Sequence, residues 1–138
     1  MRQNEQRKTQ RLAMESVYAM LKQHPATRLY HGQTIRALIN IIDRSNMTTE
    51  GFKFDKTAFV IEWVKRDLLN IAFGNSDNHG RNTAFLRDET TIWLSPIYDF
   101  APMKADPEGI ARSIIWQNDN GQTLELGGRY DFIAICKS

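Results

Sequence analysis

Two carboxylates and one amide near the middle of the chain have the types and spacing of a phosphoryl-transfer site. Asp77 and Asn82 are five positions apart in a polar loop, and Asp99 follows after a short apolar stretch. Amide and carboxylate oxygens are hard ligands that suit Mg²⁺, and a carboxylate free of metal can accept the proton of a hydroxyl group. The pattern predicts metal-assisted phosphoryl transfer from ATP, with Asp77 as the base and with Asn82 and Asp99 as Mg²⁺ ligands.

The residues between Asn82 and Asp99 predict a β-hairpin. Residues 83–86 and 91–94 have the composition of strands, and residues 87–90 are turn-like. Protein kinases follow a comparable plan, in which a catalytic loop with Asp and Asn five positions apart precedes a metal-binding D-F-G. This chain keeps the gap between the Asp and the Asn, but it has no H-R-D and no glycine after Asp99-Phe100.

A more specific resemblance covers these departures. The chain reads N-x-D-x-H-x-x-N from Asn75 to Asn82 and L-x-P-x-Y-D up to Asp99. It thereby resembles the HipA-type serine/threonine kinases, whose best-known members are toxins of bacterial toxin–antitoxin modules. The resemblance implies that Asp77 is the catalytic base, that Asn82 and Asp99 bind Mg²⁺ and so the ATP phosphates, and that Asn75 and His79 shape the loop. Asn78 receives no role of its own.

The resemblance also implies a fold and partners. The family fold has a mixed N-terminal lobe and a largely helical C-terminal lobe, its substrate is a protein that is a component of translation, and its partner is a helix-turn-helix antitoxin. The 138 residues contain no Gly-rich phosphate loop before Asp77 and are too few for two lobes. We therefore expect one domain over residues 1–138, a C-terminal lobe cut short in its last helix, without the ATP-gripping lobe and with little activity alone.

Two other functions stay open. One is a metal-dependent phosphohydrolase or nuclease in which Asp77, His79 and Asp99 bind the ion and a metal-bound water attacks a phosphoester. Against it, the other two histidines show no ligand spacing, and a net charge of +2 is small for a nuclease. The other is a non-catalytic lobe that docks a partner protein, either an antitoxin or a separately encoded N-terminal lobe.

Composition gives the remaining expectations. Hydrophobic residues make up 41% and charged residues 25%, as in globular proteins. The single cysteine, Cys136, cannot form an internal disulfide, so we expect a reducing cytoplasm. No apolar run approaches the roughly 18 residues of a membrane span, and the small net charge gives no reason to expect direct binding of nucleic acid.

The apolar periodicity predicts a mainly α protein with a small β-hairpin component, an α+β fold that matches a kinase-like helical lobe. Helices are predicted over residues 5–23, 33–44 and 55–72, the last with Asp55 as its N-cap. Apolar residues cover so much of the third helix that we expect it to be central and buried. Packing rather than base stacking is the expected role of the three tryptophans, which are Trp63, Trp93 and Trp116.

The C-terminal quarter predicts a second hairpin and a final helix. Residues 113–116 and 123–126 could pair across the turn at 118–121, since Asn-Gly between apolar segments is typical of a hairpin. The glycine pair that follows predicts a break in the chain, after which the last helix begins near Arg129.

Overall fold

The structure combines helices with several short strands, which confirms the predicted α+β class. The computed structural model describes residues 11–46, 53–102, 111–126 and 129–135. The elements in chain order are β1 Ala13–Ser16, α1 Val17–Leu21, β2 Leu29–Tyr30, α2 His31–Asn46, α3 Lys56–Phe73, β3 Ala84–Arg87, β4 Ile92–Leu94, β5 Ile114–Ile115, β6 Glu125–Leu126, β7 Arg129–Tyr130 and α4 Phe132–Ile135.

The two long helices α2 and α3 lie where periodicity predicted them. Asp55 caps α3 as expected, because its Oδ1 accepts a hydrogen bond from the backbone N–H of Ala58 at 2.9 Å. Gly74 ends α3 in the left-handed conformation, with φ of 67°. The expectation that α3 is buried all round is wrong. Its core-facing stripe is narrow, and four large apolar side chains are 40–59% exposed: Ile61, Leu68, Leu69 and Phe73.

The first predicted helix is replaced in part by a strand. Residues 13–16 form β1, which pairs antiparallel with β3 from Ala13↔Arg87 to Ser16↔Ala84, and helix α1 spans only five residues. Ser16 begins α1 by accepting a hydrogen bond from the N–H of Ala19 at 3.3 Å. Pairing with a strand about 70 positions away overrides the local helical preference. Residues 5–10 of the predicted helix lie outside the described residues.

The predicted hairpin between Asn82 and Asp99 is confirmed. Strands β3 and β4 pair antiparallel with Phe85 opposite Leu94, and β1 extends them to a sheet with the order β1-β3-β4. Asp88 stabilises the turn, because its Oδ1 accepts hydrogen bonds from the N–H groups of Thr90 and Thr91 at 2.8 and 2.7 Å.

The second hairpin forms only in part. Its turn is present, but the antiparallel pairing is limited to a bridge between Gln117 and Thr123, while β5 pairs in parallel with β2. Arg129, where the last helix was predicted to begin, lies instead in β7, which pairs with β6, and α4 begins at Phe132. The polar side chains described below attach β5 to the helices, and local periodicity does not indicate such contacts. Residues 127–128 and 136–138 lie outside the described residues.

The core lies between α2, α3 and the three-stranded sheet. Phe54, Phe59 and Phe85 form a cluster of tilted and edge-on rings with centroids 5.4–6.5 Å apart. Trp63 and Trp116 are buried and Trp93 is half-buried, so the packing role expected of the tryptophans is confirmed. No helix in the described ranges is long and apolar enough to cross a bilayer.

Candidate functional site

Helix α3 leads directly into the polar loop. After Gly74, the backbone N–H of Asn75 donates to the carbonyl oxygen of Asn70 at 2.8 Å, and the Asn75 side-chain amide donates to Asn70 Oδ1 at 2.9 Å. Asn75 Oδ1 in turn accepts from the N–H of Asp77 at 3.3 Å. The side chain of Asn75 is buried and fixes the turn that brings Asp77 out of the helix.

Besides Asn75, both Asn82 and His79 contact Asp77. The Asn82 Nδ2 group donates to the Asp77 carbonyl oxygen at 2.9 Å and lies 3.5 Å from Asp77 Oδ2. His79 Nε2 lies 3.3 Å from Asp77 Oδ1, and the backbone N–H of Asn82 donates to the carbonyl oxygen of His79 at 2.9 Å. The loop therefore closes on itself, with the carboxylate of Asp77 half-buried beside the amide of Asn82.

Helix α1 is hydrogen-bonded to the loop. The first backbone N–H groups of α1, at Val17 and Tyr18, donate to the carbonyl oxygens of Thr83 and Gly80 at 3.0 and 3.3 Å. A Cβ atom on Gly80 would lie 3.1 Å from the ring of Tyr18, which is 3% exposed. An alanine at this position would need the ring or the loop to move by a few tenths of an ångström.

The segment that carries Asp99 is held against the same loop. Arg66 on α3 donates to the carbonyl oxygen of Ser95 at 2.6 Å, and the Tyr98 hydroxyl donates to the carbonyl oxygen of Arg81. Partial burial and the negative charge of Asp99 raise the pKa of Tyr98. Asp99 itself has φ of 53°, a left-handed conformation that Asp adopts more readily than most residues.

Asp77, Asn82 and Asp99 line one small cleft, which Asn75 also lines. Asn82 uses its Nδ2 group on Asp77, and among the described residues no donor contacts its Oδ1. Nor does a hydrogen bond or ion pair from the described part of the chain engage the exposed carboxylate of Asp99. The cleft therefore offers an amide oxygen and a carboxylate, a donor set that fits Mg²⁺.

Asn78 has a structural role that the sequence did not indicate. Its side chain is 6% exposed, and its Nδ2 donates to the carbonyl oxygen of Ile114 at 2.8 Å. Its Oδ1 accepts from the backbone N–H of Ser113 at 2.9 Å and of Ile114 at 3.3 Å. These partners are 35 and 36 positions away and are backbone groups, so no residue pattern in the sequence could have indicated them.

A second polar cluster, also absent from the sequence prediction, lies behind the loop. Arg112 Nη2 donates to Asp67 Oδ1 at 2.7 Å, and Arg112 Nε donates to Glu125 Oε2 at 2.8 Å. Trp116 Nε1 donates to Asp67 Oδ2 at 2.8 Å, and His31 Nε2 lies 3.4 Å from the same oxygen. We call these five residues the buried network.

Electrostatics in the buried network strongly favour the charged form of Asp67. Burial alone would raise the pKa of Asp67, but the interactions with His31, the positive charge of Arg112 and the Trp116 N–H together lower it to about 2. Burial likewise acts to lower the pKa of Arg112, and the charges of Asp67 and Glu125 outweigh it and raise that pKa.

Only one group of three or more possible metal-ligating side chains converges within the described residues. Ligand atoms of His31, Asp67 and Glu125 lie within 4.8 Å of one another, but the Arg112 guanidinium bonds both carboxylates and supplies the cation. Asp77, His79 and Asp99 do not form such a group. The cleft therefore lacks the Asp-His-Asp ligand cluster that the hydrolase alternative requires.

Comparison with known proteins assigns the chain to a family. No curated protein matches the sequence. The sequence profile described as the HipA-like C-terminal domain matches residues 2–136, nearly the whole chain. This match confirms the resemblance seen in the two motifs, and the chain belongs to the family of HipA-like C-terminal domains.

Proposed function

We propose that this chain carries the base and the Mg²⁺ ligands of a serine/threonine protein kinase that transfers the γ-phosphoryl group of ATP. The observation that carries the proposal is the convergence of Asp77, Asn82 and Asp99 on one cleft. Membership of the HipA-like family, which is related to kinases and to toxin–antitoxin modules, supports the same activity.

Asp77 is the proposed general base. A base must present a carboxylate oxygen to the hydroxyl group that it deprotonates, and its orientation must be fixed beforehand. Asn82 and His79 hold Asp77 from two sides, at its carbonyl oxygen and at Oδ1. In this arrangement Asp77 accepts the proton of a serine or threonine hydroxyl, while the hydroxyl oxygen bonds to the γ-phosphorus of ATP and the bond to the β–γ bridging oxygen breaks to release ADP.

Asn82 and Asp99 are the proposed metal ligands. Asn82 offers its Oδ1 because the loop already uses its Nδ2 group, and Asp99 offers an exposed carboxylate. Mg²⁺, when bound with ATP, neutralises the negative charge that the transferring phosphoryl group carries. The protein's own contribution is to keep the two ligands beside the base, through the contacts of Tyr98 with Arg81 and of Arg66 with Ser95.

A docking lobe is the second candidate function. The observation that favours it is the exposed apolar side chains on α3, because a large apolar patch on a surface is typical of a binding site. Docking needs neither Mn²⁺ nor ATP in the cleft, so one experiment separates the two functions.

The test is amide NMR of the ¹⁵N-labelled chain during titration with Mn²⁺, with and without ATP. The paramagnetic ion broadens resonances near its ligands. We expect broadening around Asn82 and Asp99 that becomes stronger with ATP, and its loss in Asp99→Asn. The matched control is Asp119→Asn, which removes an exposed carboxylate in the turn near β5.

Each other outcome points to a different function. Broadening centred on Asp77 and His79 that ignores ATP would favour the hydrolase. No broadening anywhere in the loop would contradict the proposed Mg²⁺ site in this chain and favour the docking lobe.

A further inference from the structure

We propose that Asn78 is a positioning residue, which fastens the loop of Asp77 to β5 and thereby makes the orientation of the Asp77 carboxylate depend on the buried network. Asn78 touches neither the cleft's proposed base nor its proposed ligands through its side chain. The catalytic consequence rests on the proposed function, but the mechanical connection does not.

The side chain of Asn78 acts as a neighbouring strand for β5. It donates to the carbonyl oxygen of Ile114 at 2.8 Å and accepts from the N–H of the same residue at 3.3 Å. The other edge of β5 pairs with β2, where Leu29 is opposite Ile114, and the N–H of Leu29 donates to the carbonyl oxygen of Ser113. One amide side chain therefore satisfies an edge that would otherwise be buried without partners.

Both the Nδ2 donor and the Oδ1 acceptor of Asn78 are needed. A carboxylate of the same size would keep the acceptor for the N–H groups of Ser113 and Ile114, but it would bring a second oxygen against the carbonyl oxygen of Ile114. A glutamine would need room for an extra methylene at a site where Asn78 is 6% exposed. The geometry therefore selects asparagine rather than any polar residue.

The buried network fixes β5 from its two flanks. Arg112 precedes Ser113, and Trp116 follows Ile115, and both donate to the carboxylate of Asp67. The backbone N–H of Trp116 also donates to Glu125 Oε1 at 3.1 Å. Asp67 lies on α3, two helical turns before the loop begins, so β5 is attached to the same helix that delivers Asp77.

These hydrogen bonds and the chain segments between them form a closed ring of connections, which we call the circuit. It runs from Asp67 on α3 through the loop to Asn78, from there to Ile114 on β5, and back to Asp67 through Arg112 and Trp116. Because Asn78 is the residue next to Asp77, a displacement of β5 must reach the backbone of the proposed base. Removal of Asn78 opens the circuit at the point nearest the cleft.

The experiment compares wild type with Asn78→Ala and Asn78→Asp in the ¹⁵N,¹³C-labelled chain. In Asn78→Ala we expect amide hydrogen exchange at Ser113 and Ile114 to become about tenfold faster, as the loss of one hydrogen bond implies. We also expect the carboxylate ¹³C resonance of Asp77 to shift. Asn78→Asp keeps the acceptor for both N–H groups, so their exchange should change less. Asn78→Leu keeps the size but can neither donate nor accept, and it serves if the alanine variant does not fold. Asn118→Ala is the matched control, because Asn118 holds a turn outside the circuit.

A second perturbation separates positioning from simple support of the fold. With Asn78 in place, Glu125→Gln weakens the buried network and should shift the resonances of the Asp77 carboxylate and the Asn82 amide. The same substitution in the Asn78→Ala or Asn78→Leu background should leave both resonances in place. If Glu125→Gln moves Asp77 equally with and without Asn78, or if Asn78→Ala leaves Asp77 unmoved, the proposal is overturned.

These readouts need neither metal nor nucleotide. Absence of Mn²⁺ broadening in wild type would contradict the proposed function. The coupling between β5 and Asp77 would still be decided by the resonances of the Asp77 carboxylate and the Asn82 amide. Presence of Mn²⁺ broadening with no coupling would contradict the positioning role alone.

Discussion

Asn82 holds the backbone of Asp77 with its side-chain nitrogen, and among the described residues no donor bonds its amide oxygen. The Nδ2 group donates to the Asp77 carbonyl oxygen at 2.9 Å, and the two residues are five positions apart. The five-residue spacing between Asp77 and Asn82 is therefore the length of one hydrogen-bonded loop. It has this structural cause in addition to the proposed roles of the two residues as base and metal ligand. A substitution at Asn82 should therefore affect both the stability of the loop and the binding of metal.

Asn82→Ala should lower both stability and metal binding. Loss of the bond to Asp77 should cost about 1 kcal/mol in the free energy of unfolding, because a half-buried carbonyl oxygen loses its partner. Urea denaturation measures that cost, and the Mn²⁺ titration measures the loss of broadening at Asp99. Asn40→Ala is the control, since Asn40 is exposed on α2. Unchanged stability in Asn82→Ala would show that the hydrogen bond does not hold the loop.

The proposed base and a proposed metal ligand should respond differently when the chain is assayed together with an ATP-gripping lobe. Asp77→Asn should reduce phosphoryl transfer at least about 100-fold while nucleotide binding is kept, because only the proton acceptor is lost. Asp99→Ala should weaken metal–nucleotide binding as well, because a charged ligand is lost. Transfer of labelled phosphate to protein and the nucleotide Kd measure the two effects. Retained turnover in Asp77→Asn would rule out Asp77 as the base.

Gly80→Ala should destabilise the loop by roughly 1–3 kcal/mol, because the new methyl group would meet a ring that cannot move away. Tyr18 is buried and its hydroxyl donates to the carbonyl oxygen of Thr27 at 2.9 Å. The matched control is Gly32→Ala in α2, where the Cβ atom would meet only the flexible end of Arg36. That variant should be neutral or more stable. Equal thermal unfolding midpoints for the two variants would contradict the steric argument.

Local patterns in the sequence predicted the parts of the fold that local interactions determine. Helices α2 and α3 follow from apolar periodicity, and the hairpin of β3 and β4 from alternating segments around a polar turn. The motif spacing likewise predicted that Asp77, Asn82 and Asp99 would lie together, and the structure brings them to one cleft. Their roles as base and metal ligands remain predictions.

The parts that the sequence did not predict depend on partners far along the chain. Strand β1 forms because β3 offers it an edge, and no residue between 13 and 16 indicates that partner. Arg112 and Asp67 are 45 positions apart, and a lone arginine or aspartate is usually a solvated surface residue. Asn78 resembles a turn residue in sequence, and only its burial against Ile114 reveals its role.

Asp67 should make stability fall at strongly acidic pH. Its pKa is lowered from 3.8 to about 2, so its contribution is complete above 3.8 and is lost as the pH falls through about 2. A shift of this size corresponds to about 2 kcal/mol of unfolding free energy. Urea denaturation at pH 5 and pH 2 should show this loss, and Asp67→Asn should lack it. An equal pH dependence in the two proteins would show that other carboxylates determine the acid sensitivity.

Arg112→Met should have the largest effect on stability, about 3–5 kcal/mol, because it leaves two nearly buried carboxylates without their shared cation. The side chains of Asp67 and Glu125 are 4% and 8% exposed. Arg112→Lys should lower the free energy of unfolding less than Arg112→Met does, but it should not restore wild-type stability. One ammonium group cannot reproduce the separate bonds of Nε and Nη2.

The sign of the pH dependence gives the sharper test of Arg112. Without the guanidinium, the nearly buried carboxylates of Asp67 and Glu125 have lost the cation that they share, so protonation of either one should relieve the variant. Between pH 7 and pH 4, Arg112→Met should therefore gain stability relative to wild type, and addition of Glu125→Gln should reduce that gain because one of the two buried charges is gone. A variant that loses stability in parallel with wild type over this range would mean that water, rather than Arg112, compensates the two carboxylates.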